Sequence, residues 1–245
     1  MPLAPSAVSP EPGPTASGAV LQTVGLACDR GERRLFEGLN LQLQPGSVTW
    51  LRGRNGRGKT SLLRLLAGLS TPAAGEVRIQ GRPIRQAGAA WRQHWVYLAH
   101  QNALKDDLSA TESLAFLARL HGLQATAQAL HQALRRMGID NRQHAPVRTL
   151  SQGQRRRIAL ARLALSGSAT LWLLDEPFDA LDVDGIVALN GLVAEHAARG
   201  GCVLLTSHQA LTLETPAPQT LDLEALAPHL APHPAPRPAA APVAS

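Results

Sequence analysis

Gly53-Arg54-Asn55-Gly56-Arg57-Gly58-Lys59-Thr60, with Ser61 after it, fits G-x-x-x-x-G-K-[ST], a spacing suited to holding a triphosphate. Glycines at 53, 56 and 58 let the backbone curl until successive N–H groups point inward, and a helix starting there adds its partial positive end. Lys59 then reaches the β- and γ-phosphates. Thr60 offers a hydroxyl to Mg²⁺, which prefers hard oxygen ligands and phosphate oxygens. A second chemical group closes the apolar run Leu171-Trp172-Leu173-Leu174: the adjacent carboxylates Asp175 and Glu176. A third closes the run Cys202-Val203-Leu204-Leu205-Thr206-Ser207 with His208.

These groups need a scaffold that delivers them to one place. Val48, Trp50 and Leu51 predict a strand entering the glycine-rich loop, and Leu62, Leu63, Leu65 and Leu66 a helix leaving it. The runs ending at Glu176 and His208 read as buried parallel strands, whose C-terminal ends are where open α/β sheets bind ligands. Leu21, Val24, Leu26 and Leu39, Leu41, Leu43 alternate as half-buried strands, and Gln44-Pro45-Gly46 is a turn. Residues 75–81 form another short strand, and residues 95–99 a further apolar run that stops at His100-Gln101.

Between about 105 and 147 the periodicity becomes helical. Ser109-Ala110-Thr111-Glu112 is a capping box, Leu114, Leu117 and Leu120 recur on one helical face, and a second helix over about 125–137 closes at Gly138. The expectation is a helical subdomain inserted into an α/β nucleotide-binding core with an antiparallel β subdomain. Leu150-Ser151-Gln152-Gly153-Gln154 then turns into a helix beginning Arg155-Arg156-Arg157.

The 245 residues, 44% hydrophobic, suffice for one large domain with an insertion, over 19–226. Residues 1–18 and 227–245 are rich in Pro, Ala and Ser and are expected to be disordered tails. No run approaches the ~18 apolar residues that cross a bilayer, and no basic-then-apolar leader opens the chain, which predicts a cytosolic location. The formal charge of +6 raises the question of nucleic acid. With 3% aromatic residues, scattered arginines and no recognised nucleic-acid module, a solvated basic surface is expected instead. Cys28 and Cys202 match no paired-cysteine spacing and read as reduced thiols.

From about residue 20 to 213 the chain resembles the nucleotide-binding subunit of ABC transporters. The matching pieces are residues 53–60, Gln101, the LSQGQ at 150–154, LLDEP at 173–177, Ala180-Leu181-Asp182 and His208. The resemblance implies an ABC-type P-loop NTPase fold, ATP with Mg²⁺, and an ATPase coupled to an integral membrane partner. It implies that Thr60, Gln101 and Asp175 serve the metal, that Glu176 is the general base, and that Gln101 and His208 sense the γ-phosphate. Ser151, Gly153 and Gln154 would contact ATP bound to a second copy, with Asp182 crossing between copies; within one subunit Ser151 and Gly153 have no evident task. Arg30 stands where many members stack an aromatic on adenine.

Residues 100–114, DEPFDALD at 175–182 and Thr206-Ser207-His208-Gln209 are similar to the cytochrome c biogenesis ATP-binding export proteins, the haem-exporter ATPases. That similarity implies a peripheral location on the cytoplasmic face of the inner membrane, with a role in haem delivery. The loop assignment predicts that Lys59→Ala abolishes nucleotide binding by equilibrium titration; unchanged ATP affinity would refute it.

Overall fold

Alternating apolar residues build two sheets of different kinds in the computed structural model, which describes residues 18–86, 94–209, 213 and 216–226. The antiparallel sheet runs in the order β2-β1-β4-β5, from β1 (Leu21–Arg30), β2 (Arg33–Leu43), β4 (Ala74–Ile79) and the two-residue β5 (Arg82–Pro83). Leu21 sits opposite both Leu43 and Ile79, so its side chain is fully buried between them.

The parallel sheet has the order β6-β7-β8-β3-β9, built from β3 (Val48–Arg52), β6 (Trp95–Leu98), β7 (Leu171–Leu174), β8 (Cys202–Thr206) and β9 (Gln219–Asp222). Its central strands β7 and β8 are buried along their whole length, which is why they read as continuous apolar runs. Period-two alternation then divides them. Leu171, Leu173, Cys202, Leu204 and Leu51 pack with the antiparallel sheet and α1 (Lys59–Leu66). Trp172, Leu174, Val203, Leu205 and Val48 pack with α2 (Ala110–Leu120), α3 (Ala127–Arg136), α4 (Gln152–Leu165) and α5 (Val183–Ala198).

Ser109 caps α2, accepting from the Glu112 N–H while the Glu112 carboxylate accepts from the Ser109 N–H, as the capping-box pattern predicts. Leu114 and Leu117 are buried, whereas Leu120 is 63% exposed: the expected apolar face runs one turn past the core and ends in a surface groove. Strand β9 was not anticipated, because Gln219-Thr220-Leu221-Asp222 has only one strongly apolar residue; main-chain pairing to β3 makes it a strand. The expected tails lie outside the described residues apart from Gly18 at their edge. Among the described residues no helix is long and apolar enough to cross a membrane.

One buried titratable group marks the helical side of the core. His196 of α5 stacks on Trp172 with ring centroids 3.9 Å apart and is 1% exposed. Burial, reinforced by Arg199, lowers its pKa to about 4. The unfolded chain takes up a proton near the ordinary histidine value of 6.5 that folded His196 refuses until about pH 4, so acidification through that window favours unfolding. Thermal melts of His196→Phe should lose less midpoint between pH 7 and 5 than those of the parent chain. Equal losses would contradict this origin for acid lability.

Candidate functional site

The loop between β3 and α1 carries the first half of the site. Gly53, Gly56 and Gly58 adopt φ of 145°, 78° and 99°, values that residues with a Cβ rarely take. Gly58 also occupies the N-cap position of α1 without a side-chain cap, and a Cβ there would lie 3.2 Å from Leu35. The first N–H groups of α1 are therefore left for an anion. Lys59 Nζ donates to the Gly53 carbonyl at 2.7 Å, folding over its own loop. Glu224 braces the same loop from the short turn after β9, accepting from the Arg54 N–H at 2.9 Å and pairing with Arg57 Nε at 2.9 Å.

The second half comes from strand ends in register. Leu174 pairs with Leu205 and with Leu98, so Asp175, Thr206 and Ala99 follow at the same level of the sheet. Thr206 Oγ1 accepts from the Glu176 N–H at 2.7 Å and donates to Asp175 Oδ1 at 3.1 Å. Glu176 has φ of 47°, a left-handed conformation that costs a non-glycine residue about 1–3 kcal/mol. Its Oε2 accepts from the His208 N–H at 3.1 Å. The His208 ring lies near the other oxygen, with Nε2 3.4 Å from Oε1; that contact is electrostatic, since Oε1 has no hydrogen-bond partner.

Burial raises the Glu176 pKa, opposed by His208 and Lys59 and assisted by Asp179. A carboxylate so placed is a stronger base than one in water. Asp175, 2% exposed, keeps Oδ2 without any partner. A buried orphan carboxylate oxygen is costly, and a cation is the group that satisfies it.

Both halves line one cavity of about 260 Å³. Arg54, Asn55, Gly56, Gly58, Lys59, Thr60 and Ser61 form one wall, and Asp175, Glu176 and His208 another. Arg30 and Leu35 also line it, with no Phe, Tyr or Trp in the lining. Gly53 and Arg57 belong to the loop but do not line this space. A roomier cavity of about 490 Å³ between α1 and β4 contains neither the lysine nor the paired carboxylates.

Ser151, Gly153, Gln154 and Asp182 do not line the cavity of their own subunit. Within the subunit they are nonetheless occupied. Ser151 caps α4, accepting from the Gln154 N–H at 3.2 Å, and Gln154 Oε1 accepts from the Ser151 N–H at 3.0 Å. A Cβ on Gly153 would stand 2.6 Å from the Ala180 carbonyl oxygen. The expectation that one subunit gives Ser151 and Gly153 no task is thus corrected. Asp182 caps α5 through the Gly185 N–H and pairs with Arg157. Gln101 also stays outside the cavity; it lines a separate groove with Tyr97, Phe116 and Leu117, and its neighbour His100 faces the phosphate loop instead.

The ABC transporter family pattern matches residues 36–179, more than half of the chain. The chain belongs to the ABC transporter family. As an ABC ATPase it binds ATP, and ATP hydrolysis coupled to a transporter is its activity. It is 43% identical over 203 residues to the cytochrome c biogenesis ATP-binding export protein CcmA of Nitrosospira multiformis, covering 83% of this chain and 98% of that one. To the Methylococcus capsulatus protein of the same name it is 48% identical over 195 residues, covering 80% and 94%. In fold it matches a putative ABC transporter ATP-binding protein from Pyrococcus furiosus with a TM-score of 0.73 at 24% identity, over 84% of this chain and 98% of that one.

Several residues of this ABC ATPase site escaped sequence reasoning. Asp179 and His100 line the cavity and approach each other at 3.6 Å. Thr206 was visible only as the end of an apolar strand and as part of a family-like segment, with no role given to it, and Glu224 lies beyond an unanticipated strand; Arg156 was one of three arginines in a row. Only register and packing single them out. Because Glu224 holds the loop by one main-chain bond and one partly exposed ion pair, Glu224→Ala should weaken ATP binding about threefold to tenfold. Titration with a fluorescent ATP analogue measures this, and undiminished affinity would remove Glu224 from the site.

Proposed function

We propose that this chain is the ATP-hydrolysing subunit of a transporter complex acting in cytochrome c maturation, in haem export or release of a haem chaperone. The observation that carries the proposal is the 43–48% identity to several proteins of that name along most of their length. The hydrolytic scheme rests on the cavity. Loop N–H groups and Lys59 hold the triphosphate, and Glu176 takes the proton of a water as that water's oxygen attacks the γ-phosphorus and ADP leaves. His208 keeps Glu176 aimed through its main-chain bond and ring contact.

Asp175, with its unpartnered oxygen, and Thr60 on the facing wall are the residues that would hold Mg²⁺. The ion would supply neutralising charge to the phosphate oxygens. In this scheme Gln101 would serve the metal and the attacking water by swinging its side chain from the groove toward the cavity, with the main chain of residues 99–102 staying in place.

The assembly proposed is a homodimer with two ATP molecules between the copies. The N-terminus of α4 suits the role: Ser151, Gly153 and Gln154 sit at the positive end of a 14-residue helix, ready for the γ-phosphate of the other copy. Asp182 then crosses between copies. Hydrolysis removes the bridging charge and lets the dimer open. An integral membrane subunit is proposed to seat in the groove of about 330 Å³ beside Gln101, where Phe116 and Leu120 are 36% and 63% exposed. That contact would hold the chain peripherally on the cytoplasmic face of the inner membrane, with no nucleic-acid partner.

Two measurements test the scheme. Glu176→Gln should abolish turnover and elute as a dimer with saturating Mg-ATP; a monomer under those conditions would contradict the sandwich. Leu120→Glu should stop an integral membrane protein from co-purifying after detergent solubilisation, while ATP binding persists. Undiminished co-purification would remove the groove from the interface.

A further inference from the structure

Three consecutive arginines open α4 and diverge. Arg155 turns back to the carbonyls of Leu150 and Arg148, and Arg157 reaches Met137 and Asp182. Arg156 points inward and is 2% exposed. A buried guanidinium is tolerated only where its donors are matched, and Arg156 spends them on two loops. Nη1 donates to the carbonyls of Ala99 and His100 at 3.2 Å each and to Asn102 Oδ1 at 2.9 Å. Nη2 donates to the carbonyls of Asp175 at 3.1 Å and Glu176 at 2.7 Å, and Nε approaches the Pro177 carbonyl at 3.4 Å.

The consequence is mechanical. The Glu176 peptide, held in a left-handed conformation, is pinned from one side by Thr206 and from the other by Arg156. The same planar side chain grips residues 99–102, the loop between the His100 wall of the cavity and the Gln101 wall of the groove. One rigid fork thus joins the α4 N-terminus, the hydrolytic corner and the loop beside the groove. Lysine has a single nitrogen and cannot span the two loops in this way.

We propose that Arg156 is a positioning residue that fixes Glu176 for proton abstraction and locks that corner to the loop over 99–102. It acts on turnover through Glu176 without touching nucleotide, so the inference rests on Glu176 being the general base.

The test uses the full chain carrying Arg156→Gln, Arg156→Lys, Asn102→Ala and, separately, Glu176→Gln. Turnover number, ATP dissociation constant and thermal midpoint are measured for each. Misplacing a reacting group by about 1 Å costs about 100-fold in rate. Arg156→Gln should therefore lose about 100-fold in turnover with ATP affinity within about threefold, and Arg156→Lys should fail to restore it by remaining at least about tenfold down. Asn102→Ala, which removes one bond to the guanidinium, should lose about threefold to tenfold in turnover alone. Normal turnover in both Arg156 variants would overturn the proposal, as would parallel losses of turnover, affinity and thermal midpoint, the mark of a merely structural arginine. If Arg156→Gln does not fold, Asn102→Ala decides, and normal turnover there overturns it. Residual turnover in Glu176→Gln would instead bring down the general-base reading. A dead Glu176→Gln beside normal Arg156 variants would bring down the positioning role alone.

Discussion

The parallel register of β3, β8 and β7 is the constraint on which the site depends. Pairing Leu51 with Thr206 and Leu205 with Leu174 puts three strand ends at one level. The phosphate loop, the Ser207-His208 segment and the Asp175-Glu176 corner must then leave the sheet side by side. A one-residue slip of β7 would turn Trp172 and Leu174 toward α1 and the antiparallel sheet, overturning both apolar layers. The packing that stabilises the sheet therefore also fixes the distance between the phosphate-binding half and the hydrolytic half of the cavity.

Around that corner, polar groups are satisfied almost completely, and the exceptions carry information. Thr206 and Arg156 absorb the main-chain groups near Glu176, leaving Asp175 Oδ2 and Glu176 Oε1 without hydrogen-bond partners. Those two atoms belong to the carboxylates that the proposed chemistry requires, one for a cation and one for water. The α4 N-terminus makes a similar economy. Ser151 caps its own helix and is exposed, so in the proposed dimer one serine would serve both folding and the nucleotide of a second copy.

Much of this was legible in the sequence because local chemistry leaves local marks. The glycine spacing at 53–58 demands positive φ, Ser109 and Glu112 announce a helix start, and the apolar runs before Asp175 and His208 announce buried strands. What the sequence hid depends on partners distant along the chain. Arg156 is indistinguishable from Arg155 and Arg157 until folding brings residues 99–102 and 175–177 to it. Glu224 gains meaning only when β9 adds to β3. Gln101 was expected at the nucleotide and lines the groove instead, because the chain bends at residues 100 and 101 and His100 takes the cavity side.

In the proposed sandwich the cavity of one chain is completed by the α4 start of another copy, whose residues line no part of the cavity in their own subunit. Exposed Ser151 and Asn55 allow a direct measurement, since native Cys28 and Cys202 are buried and should not react with a thiol cross-linker. In a chain carrying Ser151→Cys, Asn55→Cys and Glu176→Gln, a short bis-maleimide should join two chains when Mg-ATP is present and leave them separate without it. ATP-independent joining, or no joining at saturating Mg-ATP, would contradict the account.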